Sequence, residues 1–214
     1  MTRSTAMLNH DLPARQRGWA RTALIILLVA VGLGYLGFRY VQHGSDGPLN
    51  DLIPGGPLTS GPLLPYPANW TSELERLELC AQRVCDEMAP IELQLEQPSR
   101  SRWVGMMLHD GALYLPCDLG FMWGRFEGTQ ARVLELVYYL KTWHQDAARH
   151  GDAVLRLGGH RYEVELERVT DAGLTARLQA QLEDMARVWV APDDLGPPPT
   201  EGPRDIWFFK VNER

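Results

Sequence analysis

The chain has 214 residues, of which 45% are hydrophobic, and a net charge of −6 at pH 7. This length allows one domain of ordinary size plus a further segment, since single domains cluster around about 100 to 150 residues. Residues 1 to 43 carry five Arg and one Asp, a net charge of +4, which leaves −10 for residues 44 to 214. Because the larger part is acidic, we expect no nucleic-acid partner.

An apolar segment at residues 19 to 41 is predicted to cross a membrane. Residues 22 to 38 carry no charge, and with its flanks the segment can cross a hydrocarbon core of about 30 Å as a helix. Four arginines precede the uncharged residues 22 to 38 and one follows them closely: Arg3, Arg15, Arg17, Arg21 and Arg39. This bias predicts that residues 1 to 18 form a cytoplasmic tail and that the remainder is exported across a bacterial inner membrane. A cleaved signal peptide is the alternative interpretation.

The next segment, residues 42 to 70, is rich in proline and glycine. Residues 44 to 67 contain six prolines and five glycines, a composition that sustains neither a helix nor a paired strand. We therefore predict an extended tether that holds the folded domain off the membrane.

The domain is expected to occupy residues 71 to 214. Its first helix is predicted from Ser72, which with Glu75 forms a capping box, to about Met88. Residues 91 to 97 then alternate as a half-buried strand. The pair Asp110 and Gly111 predicts the turn of a hairpin with arms at 103 to 108 and 112 to 117, and an apolar stripe predicts a helix over residues 129 to 149.

The stretch "GDAVLRLGGHRYEVELERVTD", residues 151 to 171, predicts a second hairpin that turns at two glycines. The alternation of its arms gives three facing pairs: Leu157 and His160, Leu155 and Tyr162, and Ala153 and Val164. This register also places Arg156 opposite Arg161, which is unfavourable unless Glu163 lies diagonally close.

The remaining elements are a helix and a strand. The helix is predicted from a cap at Thr170 or Asp171 to about Val188, and "IWFFKV" near the C-terminus forms the last strand. The order of elements predicts an α+β domain, a small antiparallel split β-barrel of about six strands with flanking helices, behind one N-terminal transmembrane helix.

The three cysteines, Cys80, Cys85 and Cys117, are too few for a disulfide scaffold. Cys80 and Cys85 fall on the predicted first helix, where a spacing of five places them about 140° apart, so we do not expect them to bond each other. A bridge from either one to Cys117 and three buried thiols remain the alternatives.

The motifs that suggest chemistry are weak. The pattern G-x-G-x-x-G at Gly32, Gly34 and Gly37 lies inside the apolar segment, without the strand that a dinucleotide site requires. The histidines show no metal-binding spacing, so no metal site is expected. Cys117, with His109 on the partner strand, suggests a nucleophile and a base, although a structural role is favoured.

The strands and hairpins of residues 89 to 187 resemble the split β-barrel superfamily of pyridoxamine-phosphate oxidase-like and deazaflavin-dependent nitroreductase-like proteins. The local pattern around Trp143, the hairpin at 151 to 171 and the terminal "DIWFFKV" carry the resemblance. It implies a dimeric barrel that holds FMN or a deazaflavin at the subunit interface and passes hydride to a small-molecule acceptor.

The resemblance also implies site residues. Arg100, Ser101 and Arg102, in "QPSRSRW", correspond to the turn that grips the cofactor phosphate, and arginines can bind such an anion in bidentate fashion. A second contact region implies Lys141, Trp143 and His144. The turn lacks the glycines that cofactor-binding members carry there. Two functions therefore remain open: a flavin- or deazaflavin-dependent oxidoreductase, with a homodimer and a small-molecule acceptor, and a cofactor-free exported binding or structural module.

Overall fold

The computed structural model describes residues 14–49, 53–80, 89–118, 142–189 and 206–214. The chain forms two compact units, Met1–Val41 and Gln42–Arg214. Helix α1 spans Ala14–Gly44, and its apolar part, Thr22–Gly44, has 23 residues with a mean hydropathy of 2.0. By length and composition this helix can cross a membrane, in agreement with the predicted anchor.

The second unit is built on a closed antiparallel barrel. Its strands are β2 (Ala89–Glu96), β3 (Ser99–His109), β4 (Ala112–Asp118), β5 (Asp152–Leu157), β6 (His160–Arg168) and β7 (Ile206–Glu213). They pair in the order β2-β3-β4-β7-β6-β5, and β5 returns to β2. A two-residue strand, β1 (Leu63–Leu64), pairs in parallel with β6. The predicted α+β fold with a small antiparallel barrel of about six strands is confirmed.

Both predicted hairpins are present. Asp110 and Gly111 turn the β3–β4 hairpin with φ of 50° and 75°, and Gly158 and Gly159 turn the β5–β6 hairpin with φ of 52° and 78°. Two successive residues with positive φ match the right-handed twist of the strands. The three facing pairs predicted for β5 and β6 are the observed ones.

The barrel buries one apolar cluster inside and a second one under a helix. The interior is filled by side chains such as Leu93, Leu155 and Phe209, all with no exposed surface. Helix α4 (Ala172–Trp189) covers the outer cluster, and the Asp171 carboxylate accepts the Leu174 N–H at 2.6 Å, which confirms the predicted cap.

The first helix of the domain differs from its prediction. Helix α2 spans Trp70–Arg76, and its N-cap is Asn69, whose side chain accepts the Ser72 N–H at 3.1 Å. It ends where Glu78 adopts a φ of 58° and the Leu79 N–H bonds the Leu74 carbonyl. Asn caps helices as well as Ser does, and the earlier start buries Trp70. The predicted start at Ser72 and the continuity of the helix beyond Arg76 were wrong, and the predicted end at Met88 lies outside the described residues.

The Pro/Gly-rich segment forms a strap, residues 42–49 and 53–64, that lies on the barrel. The prediction that it contains no paired strand was wrong, since Leu63–Leu64 pairs with β6 and Gly55 bridges Ser101. The backbone turns tightly here: a Cβ at Gly55 would lie 1.8 Å from the Gly47 carbonyl oxygen. Side chains from the barrel bond the strap, and composition alone did not indicate this.

Cys80 takes part in a disulfide, whereas Cys117 is buried and forms no disulfide. The bridge to Cys117 is therefore not formed. The argument against a bond between Cys80 and Cys85 assumed one helix through both residues, but α2 ends at Arg76; Cys85 lies outside the described residues. Of the helix expected at 129 to 149, the described part is α3, Trp143–Arg149.

Candidate functional site

One end of the barrel, here termed the barrel mouth, gathers Arg100, Arg102, Cys117, Arg168 and Trp207 around helix α3. Cys117 lies opposite Trp207 in the β4–β7 pair. Helix α3 packs against β2 and β6, and it reaches both sides of the mouth through Asp146, which faces Arg102, and His144, which contacts Trp207.

The alternation of β3 separates the three residues that the sequence placed in one anion-binding turn. Arg100 and Arg102 share the interior phase of the strand with Val104 and Met106, so both lie at the mouth. Ser101 has the opposite phase and is fully buried beneath the strap. Its hydroxyl donates to the Gly56 carbonyl, and its backbone pairs with Gly55.

Arg102 is a partly buried cation with an unsatisfied donor. Its Nε has no accessible surface and no hydrogen-bond partner, and no ion pair with it occurs among the residues that the structure describes. Burial lowers the pKa of Arg102 to about 10, and the Arg100 charge acts in the same direction. Asp146 opposes that effect, but its carboxylate is bonded to Arg149 at 2.7 Å. A buried cation with an unused N–H favours an anionic ligand.

Aromatic side chains form the other side of the mouth. The Arg168 guanidinium carbon lies 3.4 Å from the centroid of the Trp207 ring, and the buried His144 ring meets Trp207 edge-on at 5.0 Å. Trp143 is 2% exposed and packs against Phe209 at a centroid distance of 5.4 Å. Trp143 and His144 therefore pack the mouth from α3, while Arg168 and Trp207 give it a cationic, aromatic edge.

The structure thus brings four of the six residues implied by the resemblance to one end of the barrel: Arg100, Arg102, Trp143 and His144. Ser101 lies on the other face of β3, and Lys141 lies outside the described residues. The sequence analysis missed Arg168 and Trp207. A signal for Arg168 was present, because it continues the inward phase of Tyr162, Val164 and Leu166.

A second arginine lies under the strap and is fully paired. Arg156 of β5 donates from Nε and Nη2 to the Glu92 carboxylate, and from Nη1 to Asp46 at 2.9 Å and Ser60 at 2.8 Å. The bond to Glu92 raises the pKa of Arg156. Hydrogen bonds from Ser60 and Thr59, together with Arg156, hold the pKa of Asp46 well below its usual range.

These bonds explain how Arg156 and Arg161 can face each other across β5 and β6. Glu92 and Asp46 bind Arg156, and Arg161 donates to the carbonyls of Gly61 and Leu58, each at 2.9 Å. The repulsion between Arg156 and Arg161 is therefore offset by the strap and by β2, and not by Glu163 as the sequence analysis suggested.

The suggested nucleophile and base are not brought together. Cys117 lies five residues along β4 from Ala112, the partner of His109, a distance of roughly 17 Å. His109 Nδ1 instead lies 2.9 Å from Gln181 Oε1 of α4. In the described part of the chain, no group of three His, Cys, Asp or Glu side chains could hold a metal ion.

Comparison of the chain with known proteins returns no matching family model and no similar curated protein.

Proposed function

We propose that this is a membrane-anchored protein whose exported barrel binds an anionic cofactor of the flavin or deazaflavin type at the barrel mouth and acts as an oxidoreductase. The observation that carries the proposal is the buried Nε of Arg102, which has no hydrogen-bond partner among the described residues, with Arg100 beside it on the same face of β3. A phosphate group would supply the missing acceptor.

The chemistry of the mouth suits such a ligand. A phosphate oxygen accepts from the Arg102 Nε, and the Arg100 charge adds to the attraction in a domain that is acidic overall. Trp207, with Arg168 over its ring, offers an apolar surface next to these cations. A bound flavin would supply the hydride chemistry, and the described residues would hold and orient it. The resemblance further suggests a homodimer and a small-molecule electron acceptor.

The export proposal is supported by two independent observations. The arginines that precede the apolar helix outnumber those that follow it, which favours a cytoplasmic N-terminus and an inner-membrane location with the barrel outside the cytoplasm. The disulfide at Cys80 fits an oxidising compartment.

A second candidate function is a cofactor-free binding or structural module. It is favoured by the Ser101 hydroxyl, which donates to Gly56 of the strap and is buried, so that it does not face a ligand at the mouth. The burial of Trp143 and His144 also favours this module, because buried side chains leave little surface for a cofactor.

The test uses the full chain purified in nanodiscs. We expect a visible flavin spectrum, or saturable FMN binding that falls by about tenfold or more in Arg102→Ala, because a hydrogen bond to a charged group contributes about 1.5–3 kcal/mol. Arg177→Ala, at an exposed position on α4, is the matched control and should leave FMN binding unchanged. A colourless protein that binds no FMN would reject the cofactor proposal and favour the module.

A further inference from the structure

Trp207 lies at the barrel mouth with one face of its indole covered by an arginine. The Arg168 guanidinium carbon is 3.4 Å from the centroid of the ring. Elsewhere the ring is held by His144, edge-on at 5.0 Å, and by Phe209 at a centroid distance of 6.5 Å. Because Arg168 is exposed whereas His144 and Phe209 are buried, the face beneath Arg168 is the one toward solvent.

The contact between Arg168 and Trp207 is weaker than the contact that a ligand ring would make. A cation–π contact at an exposed site changes an equilibrium by about twofold to fivefold. A planar ring that stacks on an aromatic side chain contributes about fivefold to 150-fold in affinity. The guanidinium stands at the end of a long and flexible side chain, so a ring can take its place on the indole with a net gain.

The indole is within reach of the cation that attracts an anion. Strand β4 lies between β3, which carries Arg102, and β7, which carries Trp207. Neighbouring strands are about 4.8 Å apart, so the two backbones are separated by at most about 10 Å. Cys117 of β4 lies opposite Trp207, and its thiol is close enough to act on the Arg102 charge. A phosphate on Arg102 and a ring on Trp207 can therefore belong to one molecule.

We propose that the indole face of Trp207 beneath Arg168 is the subsite for a planar aromatic ring, and that it makes the mouth selective for aromatic phosphates over phosphates that carry no ring. This proposal rests on the cofactor site proposed above, because Arg102 holds the phosphate of the same ligand. It adds the residue that recognises the ring. Arg168 covers this subsite, and binding of the ring moves its guanidinium off the indole.

The experiment is a titration of FMN into the full chain in nanodiscs, followed by flavin fluorescence. An indole in contact with a flavin ring quenches its fluorescence by electron transfer, so stacking on Trp207 has a signature that a purely structural role does not give. In the wild type we expect bound FMN to be strongly quenched. Inorganic phosphate, which has no ring, is titrated as a competitor of FMN and reports the affinity of the anion subsite alone.

The variants separate the ring from the phosphate. Trp207→Leu should weaken FMN binding by about tenfold and restore most of the fluorescence of bound FMN at saturation, whereas the inhibition constant of phosphate should change by less than about twofold. Arg102→Ala should weaken both ligands. Trp207→Phe, which keeps a ring but not the indole, should bind FMN within about threefold of wild type and still restore its fluorescence.

Trp103→Leu is the matched control. Trp103 is 40% exposed and has the opposite phase on β3 to Arg102, so its loss should change neither the affinity for FMN nor the quenching.

The two proposals fail in different ways. A wild type that binds no FMN would overturn both of them. If FMN binds and Arg102→Ala weakens it, but Trp207→Leu and Trp207→Phe change neither its affinity nor its fluorescence, the cofactor site is supported and the ring subsite is overturned. An equal loss of phosphate and FMN binding in Trp207→Leu would also overturn the ring subsite, because such a subsite does not act on a ligand without a ring.

Discussion

Two arginines of the barrel, Arg156 under the strap and Arg102 at the mouth, have opposite environments. Arg156 bonds Glu92, Asp46 and Ser60, and its pKa is raised. Arg102 has a buried Nε without a partner among the described residues, and its pKa is lowered to about 10.

The difference separates a cation that holds the fold together from one that is available to a ligand. Taking a charge out of water is costly unless opposite charges and hydrogen bonds replace the water. At Arg156 the protein supplies them from β2 and the strap. At Arg102 the described part of the chain leaves the acceptor to be supplied from elsewhere.

The largest effect is expected from Arg156→Ala. It leaves Glu92, which is 15% exposed, without its counter-ion, and it releases Asp46. Breaking such a pair should lower the free energy of unfolding by about 2–4 kcal/mol, measured by thermal or urea unfolding of the full chain in detergent. Arg161→Ala, which loses bonds to neutral carbonyls, is the matched control and should cost about 1–2 kcal/mol. Equal losses in the two variants would contradict the assigned role of Arg156.

A smaller effect, dependent on pH, is expected from Asp46→Asn. Asp46 has a folded pKa below its unfolded value of about 3.9. Its contribution is therefore complete well above pH 4 and is lost as the pH falls further. In the variant the strap should already be more sensitive to limited proteolysis at pH 7.

A comparison of the wild type with Asp46→Asn at each pH gives the control for this prediction. Bonds with Arg76 and Tyr162 lower the pKa of Glu73 to about 2. The stability that Glu73 contributes is therefore also lost in acid, in the wild type and in Asp46→Asn alike. The informative quantity is therefore the difference in protease sensitivity between wild type and variant. That difference should shrink between pH 4 and pH 2, and a difference that stays constant would show that Asp46 does not hold the strap through its charge.

The smallest effect on stability is expected from Arg102→Met. Because the buried Nε has no partner to lose among the described residues, an apolar replacement of similar length should leave the free energy of unfolding unchanged or raise it by up to about 1 kcal/mol. Differential scanning calorimetry of the apo protein measures this. A loss comparable to that of Arg156→Ala would show that Arg102 is a structural residue, and the contrast between the two arginines would disappear.

The strands of the barrel could be predicted because their signals are local. Two glycines at 158 and 159, and the strict alternation on either side, determine the register of β5 and β6. Asp110 and Gly111 do the same for β3 and β4. In contrast, the first helix was placed wrongly because Asn69 and Ser72 both qualify as caps, and the burial of Trp70 favours the earlier one.

The candidate site could be predicted only in part. The phase of β3 indicates that Arg100 and Arg102 share a face and that Ser101 does not. The meeting of Arg168 with Trp207 depends on β7 pairing with both β4 and β6, which closes the barrel between distant parts of the chain. The strap was misjudged because its partners, Arg156 and Gln94, lie far along the sequence.

The bonds between the strap and the barrel also change what this segment can do as a linker. A flexible chain of about 20 residues would give an end-to-end distance of roughly 25 Å. The hydrogen bonds of Asp46, Gly55 and Leu58 to the barrel remove most of that reach. The described residues of the strap therefore move with the barrel and do not act as a flexible spacer.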